Sequence, residues 1–125
     1  MSRFEVVLCI LNNGFSDTAM DAARAAGARG GTILHGRGTA SKDAEKLFNI
    51  TIQPEKEIVM ILVAHEIRDA VLKSLYDAVG VNTDAQGIAF TLPVEHVVGI
   101  GNRRKAVQKN TDGVQKKEDT PKKDV

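Results

Sequence analysis

The sequence is poor in cysteine and in aromatic residues. Its 125 residues include one cysteine, no tryptophan, one tyrosine and four phenylalanines. A single thiol cannot form an internal disulfide, and no CxxC pair is present for a structural metal site. Cys9 lies in the apolar run "VVLCIL", so we interpret it as a small buried hydrophobe. The core is expected to be aliphatic, and the protein to occupy a reduced, cytoplasmic compartment.

Long hydrophobic runs are also missing. No apolar stretch approaches the roughly 20 residues that a membrane-spanning helix needs. The start, "MSRFEVVLCILNN", lacks the length, the basic first segment and the small-residue cleavage site of a signal peptide. These absences argue against a membrane-spanning segment and a secretory leader.

The net charge of +1 conceals an uneven distribution. Residues 101–125 carry eight Lys and Arg against four Asp and Glu, and have little to bury. We therefore predict a folded domain over residues 1–100 and a basic, disordered tail over 101–125. The tail is interpreted mainly as solubilising, although it is able to contact an acidic partner or a membrane surface. No nucleic-acid partner is expected.

Hydrophobic patterning predicts two helices among several strands. Apolar residues at a 3.6-residue period indicate helices, and β-branched or alternating runs indicate strands. Ser16 or Asp17 is expected to cap the first helix, and Gly27 and Gly80 to end the two helices in left-handed conformations. Pro93 is expected to end the last strand. The predicted strands cover 3–11, 31–35, 48–53, 57–64 and 88–92, with helices over 16–26 and 66–79 and a short apolar segment after Pro93.

Two β-α-β halves in this order predict a ferredoxin-like α+β fold (βαββαβ). In that fold a four-stranded antiparallel sheet carries both helices on one face. The alternate residues of the strands, which point to the other face, are also largely aliphatic. Because an uncovered apolar sheet face commonly becomes an interface, we expect self-association.

No catalytic pattern is present. His35, His65 and His96 are scattered, and none has a second ligand at the spacing of a metal site. The sequence contains no GxSxG, HExxH, Walker A or Rossmann glycine motif. We therefore predict a protein that is not an enzyme and requires no cofactor.

Glycines beside cations form the best candidate for ligand binding. Gly36 and Gly38 follow a predicted strand and allow close approach of a ligand to the backbone. Arg37 and Lys56 carry positive charge suited to phosphate. The "DAQG" stretch, 84–87, repeats this arrangement before the last strand. The alternative that these glycines only form turns stays open at this point.

Several stretches taken in order resemble the PII signal-transduction family. They are "FEVVLCI", "AGARGGTILHGRG", "EIVMILVAHEIRDAVLKSLYDAVG" and "GIAFTLPVEHVVGI", which together extend from Arg3 to about Ile100. The resemblance implies a ferredoxin-like homotrimer that binds adenine nucleotides between subunits. It also implies a loop after the second strand that contacts a partner protein, often a membrane transporter.

The resemblance also implies a set of binding residues. Thr32, Gly38 and Leu62 would border the adenine and ribose. Lys56 would lie at the end of the partner-contacting loop, and Gln86 and Gly87 in a second phosphate-contacting loop. With the glycine-rich edge, the candidate ligand-binding set is Thr32, Gly36, Arg37, Gly38, Thr39, Lys56, Leu62, Gln86 and Gly87.

Three departures from the family pattern narrow the expected ligand. The loop between Gly38 and Lys56 is shorter than in the nitrogen regulators and has no tyrosine, so tyrosine uridylylation is not expected. Ile88 replaces a lysine, and Gly99 and Gly101 replace two arginines. Each charge-assisted contact is worth roughly 1.5–3 kcal/mol, so this loss favours AMP or ADP, or another small metabolite, over ATP.

Sequence reasoning thus favours a PII-like sensor whose ligand reorders the loop at 37–53. Two alternatives remain open. One is a relative of the CutA divalent-cation tolerance proteins, which are also ferredoxin-like trimers. The other is a structural or assembly module without a ligand.

Overall fold

The computed structural model describes residues 3–40, 46–47 and 53–99. The chain divides into a compact unit, Met1–Glu95, and a second unit, His96–Val125. Only residues 96–99 of the second unit are described, and they contain no helix or strand. The predicted tail, 101–125, and the predicted strand segment 48–52 lie outside the described residues.

The elements of the first unit follow the predicted β-α-β-β-α-β order. A 3-10 turn, His65–Ile67, leads directly from the third strand into the second helix. The strands and helices are β1 (Phe4–Asn12), α1 (Ser16–Ala25), β2 (Thr32–Arg37), β3 (Glu55–Ala64), α2 (Arg68–Val79) and β4 (Ile88–Val94).

The four strands form one antiparallel sheet in the order β2-β3-β1-β4. The central strand β1 pairs Val7 with Ile61 of β3 and Cys9 with Ala89 of β4. Strands β2 and β4 are therefore the edges of the sheet. This is the ferredoxin-like topology predicted from the sequence.

The core lies between the sheet and the two helices. Side chains alternate between the faces of a strand, and the odd-numbered positions of β1 and β3 point toward the helices. Val7, Leu11, Val59 and Ile61 are fully buried there. Small residues of α1 allow the helix to approach closely, and the buried residues on the helices are Ser16, Ala19, Met20, Ala23, Val71, Leu75 and Val79.

The opposite face of the sheet, which we call the open face, is not covered by either of the described helices α1 and α2. It consists of the even-numbered positions of the strands, where large apolar side chains remain half-buried or exposed. Leu34, Ile88, Phe90 and Leu92 are 40–58% exposed. An apolar surface of this kind is typical of a face that packs against another protein.

The start of α1 differs from the prediction. Phe15 occupies the N-cap position, and neither Ser16 nor Asp17 caps the helix with its side chain. Glu57 of β3 does this instead, because its Oε1 accepts hydrogen bonds from the backbone N–H groups of Gly14 (3.0 Å) and Ser16 (3.1 Å). A carboxylate on a neighbouring strand thus satisfies donors that a local side chain was expected to satisfy.

Two further boundary predictions are wrong. Gly80 follows α2 in an extended conformation, φ −72° and ψ −169°, whereas Gly27 after α1 has the expected positive φ of +113°. Pro93 does not end β4, which continues to Val94 with Pro93 opposite Glu5. Proline is tolerated at this place because β4 is an edge strand. It has no second neighbouring strand that would need a hydrogen bond from the N–H that proline lacks.

Candidate functional site

One end of the sheet gathers most of the predicted binding residues. Strands β1 and β2 end there, and β3 and β4 begin there, because neighbouring strands are antiparallel. Lys56 of β3 lies opposite both Asn12 of β1 and Gly36 of β2. We call this region the loop end of the sheet; it contains Asn12, residues 36–39, Lys56 and residues 84–87.

The glycines after β2 lie directly against the start of β3. The N–H of Gly38 donates a hydrogen bond to the carbonyl of Pro54 at 2.6 Å. A Cβ at Gly38 would lie 3.0 Å from Cε of Lys56, so the lysine side chain runs across this glycine. Arg37, opposite Glu55, and Thr39 are both exposed beside it. Because Gly38 has no side chain, the side chain of Lys56 occupies the space beside it.

Lys56 is held by an amide and not by a carboxylate. Its Nζ donates a hydrogen bond of 2.7 Å to Oδ1 of Asn12. In the part of the chain that the structure describes, no carboxylate lies within ion-pair distance of this ammonium. Because an amide carries no net charge, the Lys56 ammonium is hydrogen-bonded but makes no ion pair with the described residues.

Asn12 also fixes the 84–87 loop. Its side-chain Nδ2 donates to the carbonyl of Asp84 at 2.9 Å, and its backbone N–H donates to the carbonyl of Ala85 at 2.9 Å. Asn12 is only 4% exposed. One buried amide thus connects the start of β3 with the loop that precedes β4.

Gly87 has a structural role independent of any ligand. Its N–H donates to the carbonyl of Val79 at 2.6 Å, and a Cβ at this position would lie 2.4 Å from the same oxygen. Gln86, immediately before it, adopts a positive φ of +49°. The structural requirement for a glycine in this turn therefore explains why position 87 is a glycine, without reference to a ligand. Its backbone still lies at the loop end.

Thr32 and Leu62 lie away from the loop end. Thr32 begins β2 opposite Met60, and Leu62 is half-buried on the open face opposite Val6. Met60 is four residues along β3 from Lys56, which corresponds to about 13 Å at the usual rise of a strand. Seven of the nine predicted residues therefore lie at the same end of the sheet, with residues 36–39 after one edge strand and residues 86–87 before the other, whereas the remaining two do not.

Sequence reasoning missed Asn12 and Glu57. The predicted first strand ended at residue 11, and Asn12 was not among the predicted site residues. Glu57 is an acidic residue on the helix-facing side of an otherwise aliphatic strand, which is a signal of a buried polar role. Burial alone would raise the pKa of Glu57, but the hydrogen bonds from Gly14 and Ser16 and the nearby His35 outweigh it and lower that pKa. His35 Nε2 lies 3.4 Å from Oε2 of Glu57.

A second polar cluster occupies the opposite end of the sheet. Glu5 of β1 contacts Nδ1 of His65 at 2.6 Å and accepts a hydrogen bond from Nη1 of Arg68 at 3.0 Å. The hydrogen bond with His65 and the guanidinium of Arg68 hold the pKa of Glu5 below its usual value. The backbone N–H of His65 also donates to the carbonyl of Arg3. These contacts tie the start of β1 to the corner between β3 and α2.

A shallow apolar pocket of about 250 Å³ opens between α2 and the sheet. It contains Gly87 but no other predicted binding residue. Burial raises the pKa of the Cys9 thiol at its base to about 11, so this cysteine is a poor nucleophile. The lining residues are Cys9, Leu72, Leu75, Tyr76, Val79, Gly80, Gly87 and Ala89.

Two kinds of feature are absent from the described ranges, 3–40, 46–47 and 53–99. No group of three or more His, Cys, Asp or Glu side chains in these ranges is placed to hold a metal ion. No helix there combines the length and apolar character needed to span a bilayer.

Comparison with solved structures identifies the fold. The chain is similar to Arabidopsis thaliana PII bound to citrate, with a TM-score of 0.60 and 21% sequence identity over 80% of this chain and 82% of that one. It is also similar to a PII-like signaling protein from Thermus thermophilus, with a TM-score of 0.56 and 17% identity over 74% of this chain and 86% of that one. No family model and no curated protein sequence matches the chain.

These similarities confirm the resemblance at the level of structure. The chain has the ferredoxin-like fold of PII and PII-like signalling proteins. At this level of identity they establish the fold alone, so ligand, partner and assembly remain to be argued from the chain's own residues.

Proposed function

We propose that this chain is a PII-like sensor protein that binds a small anionic ligand at the loop end of the sheet and regulates a partner protein. The single observation that carries the proposal is Lys56, which makes no ion pair with a described carboxylate and lies across Gly38 and against Asn12. The fold shared with PII signalling proteins supports a regulatory role over an enzymatic one.

The ligand class follows from the charges available. Arg37 and Lys56 are the described cations at the loop end, while Gly99 and Ile88 stand where the family resemblance implies cations. Each charge-assisted hydrogen bond contributes roughly 1.5–3 kcal/mol, so two cations suit one or two phosphate groups better than three. We therefore propose AMP or ADP as the ligand.

The proposed site lies at a boundary between subunits, where a second copy of the chain contributes residues to it. Thr32 and Leu62 lie about 13 Å or more along the sheet from Lys56 by the usual strand rise, too far to line one small pocket within a single chain. The apolar open face favours packing against further copies of the chain. We propose a homotrimer in which these residues border a cleft shared between subunits. The loop over 37–53 would then change conformation on binding and engage the partner, for which a membrane transporter is our choice.

Ligand binding is tested by calorimetric titration of the purified full-length protein with AMP, ADP and ATP. Citrate and divalent metal ions are titrated in separate experiments. We expect saturable binding of AMP or ADP that weakens by about 10-fold or more in Lys56→Ala, from the loss of one charge-assisted contact. The control is Lys73→Ala, which removes an equal charge from the exposed Lys73–Asp77 pair on α2. This control should bind as the wild type does.

Some outcomes would overturn the proposal. Binding of a divalent metal with no response to any nucleotide would favour the CutA-like alternative. Equal nucleotide affinity in Lys56→Ala and Lys73→Ala would remove the site from the loop end. Light scattering that gives a mass near 13.5 kDa would contradict the trimer and the shared cleft.

A further inference from the structure

We propose that Asn12 is a positioning residue that couples anion binding at Lys56 to the conformation of the 84–87 loop. The identity of the site rests on the proposed function, whereas the coupling is a property of the chain that is measurable without a ligand. No sequence pattern pointed to Asn12.

The geometry gives Asn12 two simultaneous tasks. Its Oδ1 accepts from the ammonium of Lys56 at 2.7 Å, and its Nδ2 donates to the carbonyl of Asp84 at 2.9 Å. Both partners are distant in sequence, and the amide between them is 4% exposed. A buried polar side chain keeps its hydrogen bonds because losing them costs free energy, so a change at one partner is transmitted to the amide.

The positive charge of Lys56 makes its hydrogen bond with Asn12 sensitive to an anionic ligand. The Asn12 amide oxygen is a neutral acceptor, and a phosphate or carboxylate oxygen forms a hydrogen bond with an ammonium that is roughly twice as strong. By forming the stronger bond, an anionic ligand draws the Lys56 ammonium, which has three N–H donors, toward itself and away from Oδ1. Oδ1 then lacks its ammonium partner, and the amide changes position together with its bond to the Asp84 carbonyl.

The consequence is reciprocal coupling between two ligand-contacting segments. The bound anion favours the loop conformation in which Asn12 is released, and the free state favours the conformation seen here. By linkage, anything that holds the 84–87 loop in the present conformation weakens anion binding. The backbone bond from Asn12 to Ala85, 2.9 Å, does not depend on the side chain and serves as a fixed point for the loop.

The coupling is tested first without ligand, by comparing amide resonances in two-dimensional nitrogen–proton NMR spectra of the full chain. Lys56→Met should shift the Gln86 and Gly87 amides in the Asn12 protein and leave them unmoved in an Asn12→Ala background. Lys73→Met is the control and should move neither. If Asn12→Ala does not fold, Asn12→Ser, whose hydroxyl is too short to bridge, replaces it. Equal shifts in both backgrounds, or none in the Asn12 protein, would refute the proposal.

The second test uses ADP as the probe. In the Asn12→Ala protein, ADP should still move the amides of Gly36 and Gly38 while those of Gln86 and Gly87 no longer respond. Asn12→Asp places a carboxylate beside Lys56, so it should lower ADP affinity by at least about 10-fold. A full loop response to ADP in Asn12→Ala would overturn the coupling. Failure of the wild type to bind ADP would reject the nucleotide and leave the ligand-free comparison decisive for Asn12.

Discussion

The carboxylate of Glu57 is predicted to be a main stabiliser of α1. It is 8% exposed, and one of its oxygens accepts both the Gly14 and Ser16 backbone hydrogen bonds. Hydrogen bonds to a charged group contribute roughly 1.5–3 kcal/mol each, but the freed N–H groups regain part of this from water. Loss of a helix cap costs about 0.5–2 kcal/mol. We expect Glu57→Ala to lower the free energy of unfolding by about 2–3 kcal/mol.

Glu57→Gln separates charge from shape. The amide oxygen still accepts from the same donors, but the favourable interaction of the negative charge with the helix N-terminus is lost, which is worth about 0.3–1 kcal/mol. We expect a loss of about 1 kcal/mol. The measurement is urea unfolding followed by circular dichroism at pH 7, with the exposed Glu55→Ala of the same strand as control. If Gln costs as much as Ala, or if neither differs from the control, the capping argument is wrong.

The pH dependence provides an independent check with a defined sign. Because the pKa of Glu57 is lowered in the folded protein, its contribution is fully present above the unfolded pKa of about 4.3 and is lost as pH falls through the folded value. The gap in stability between wild type and Glu57→Gln should therefore be retained from pH 7 to about 5, where the carboxylate stays ionised, and should close at lower pH. A gap that already closes between pH 7 and 5 would contradict the lowered pKa.

Three further predictions concern stability and reactivity. Glu5, whose pKa is also lowered, should stabilise the fold above about pH 4.3, so Glu5→Gln should show a weaker loss of melting temperature on acidification than the wild type. Cys9, with its pKa raised to about 11 and its thiol buried, should react with Ellman's reagent at pH 8 only after urea is added. Gly87→Ala places a Cβ 2.4 Å from the Val79 carbonyl and should cost at least about 1–3 kcal/mol, whereas Gly30→Ala, which meets nothing within 4 Å, should be neutral or slightly stabilising in urea unfolding.

The fold was largely predictable because its signals are strong and local. The run 57–64 and the apolar run after Arg3 are aliphatic enough to be strands in any context, and the small residues of α1 fit only a close approach to a sheet. Two such halves leave few compact topologies, and the observed sheet order is one of them. The boundary error at Pro93 arose where pairing with the neighbouring strand β1, and not local propensity, decides the backbone.

The candidate site was predictable only in outline. Gly36, Gly38 and Lys56 are residue types that suggest a ligand by themselves, and the structure places them together. Asn12 is informative only once it is known to lie opposite Lys56 and beside Asp84. Contacts between residues so distant in sequence depend on which strands pair and at which residues, whereas the alternation within one strand determines only the face on which each side chain lies. The same limit explains why the cap of α1 by Glu57 was not foreseen.

Lys56 and Glu57 are adjacent in sequence but act on opposite faces of β3. Successive side chains of a strand point to opposite faces of the sheet. Lys56 therefore contacts Asn12 at the loop end, whereas the Glu57 carboxylate contacts the start of α1. A change in the backbone at this place would therefore affect the candidate site and helix stability together, whereas side-chain substitutions affect them separately. Asn12, at the end of β1, pairs with the first residues of β3. The conformation of these residues therefore affects both the 36–39 segment and the 84–87 loop. Ligand-dependent motion is consequently expected in the loops at this end of the sheet, including residues 84–87, while the buried Glu57 contacts hold strand β3 behind Lys56 in place.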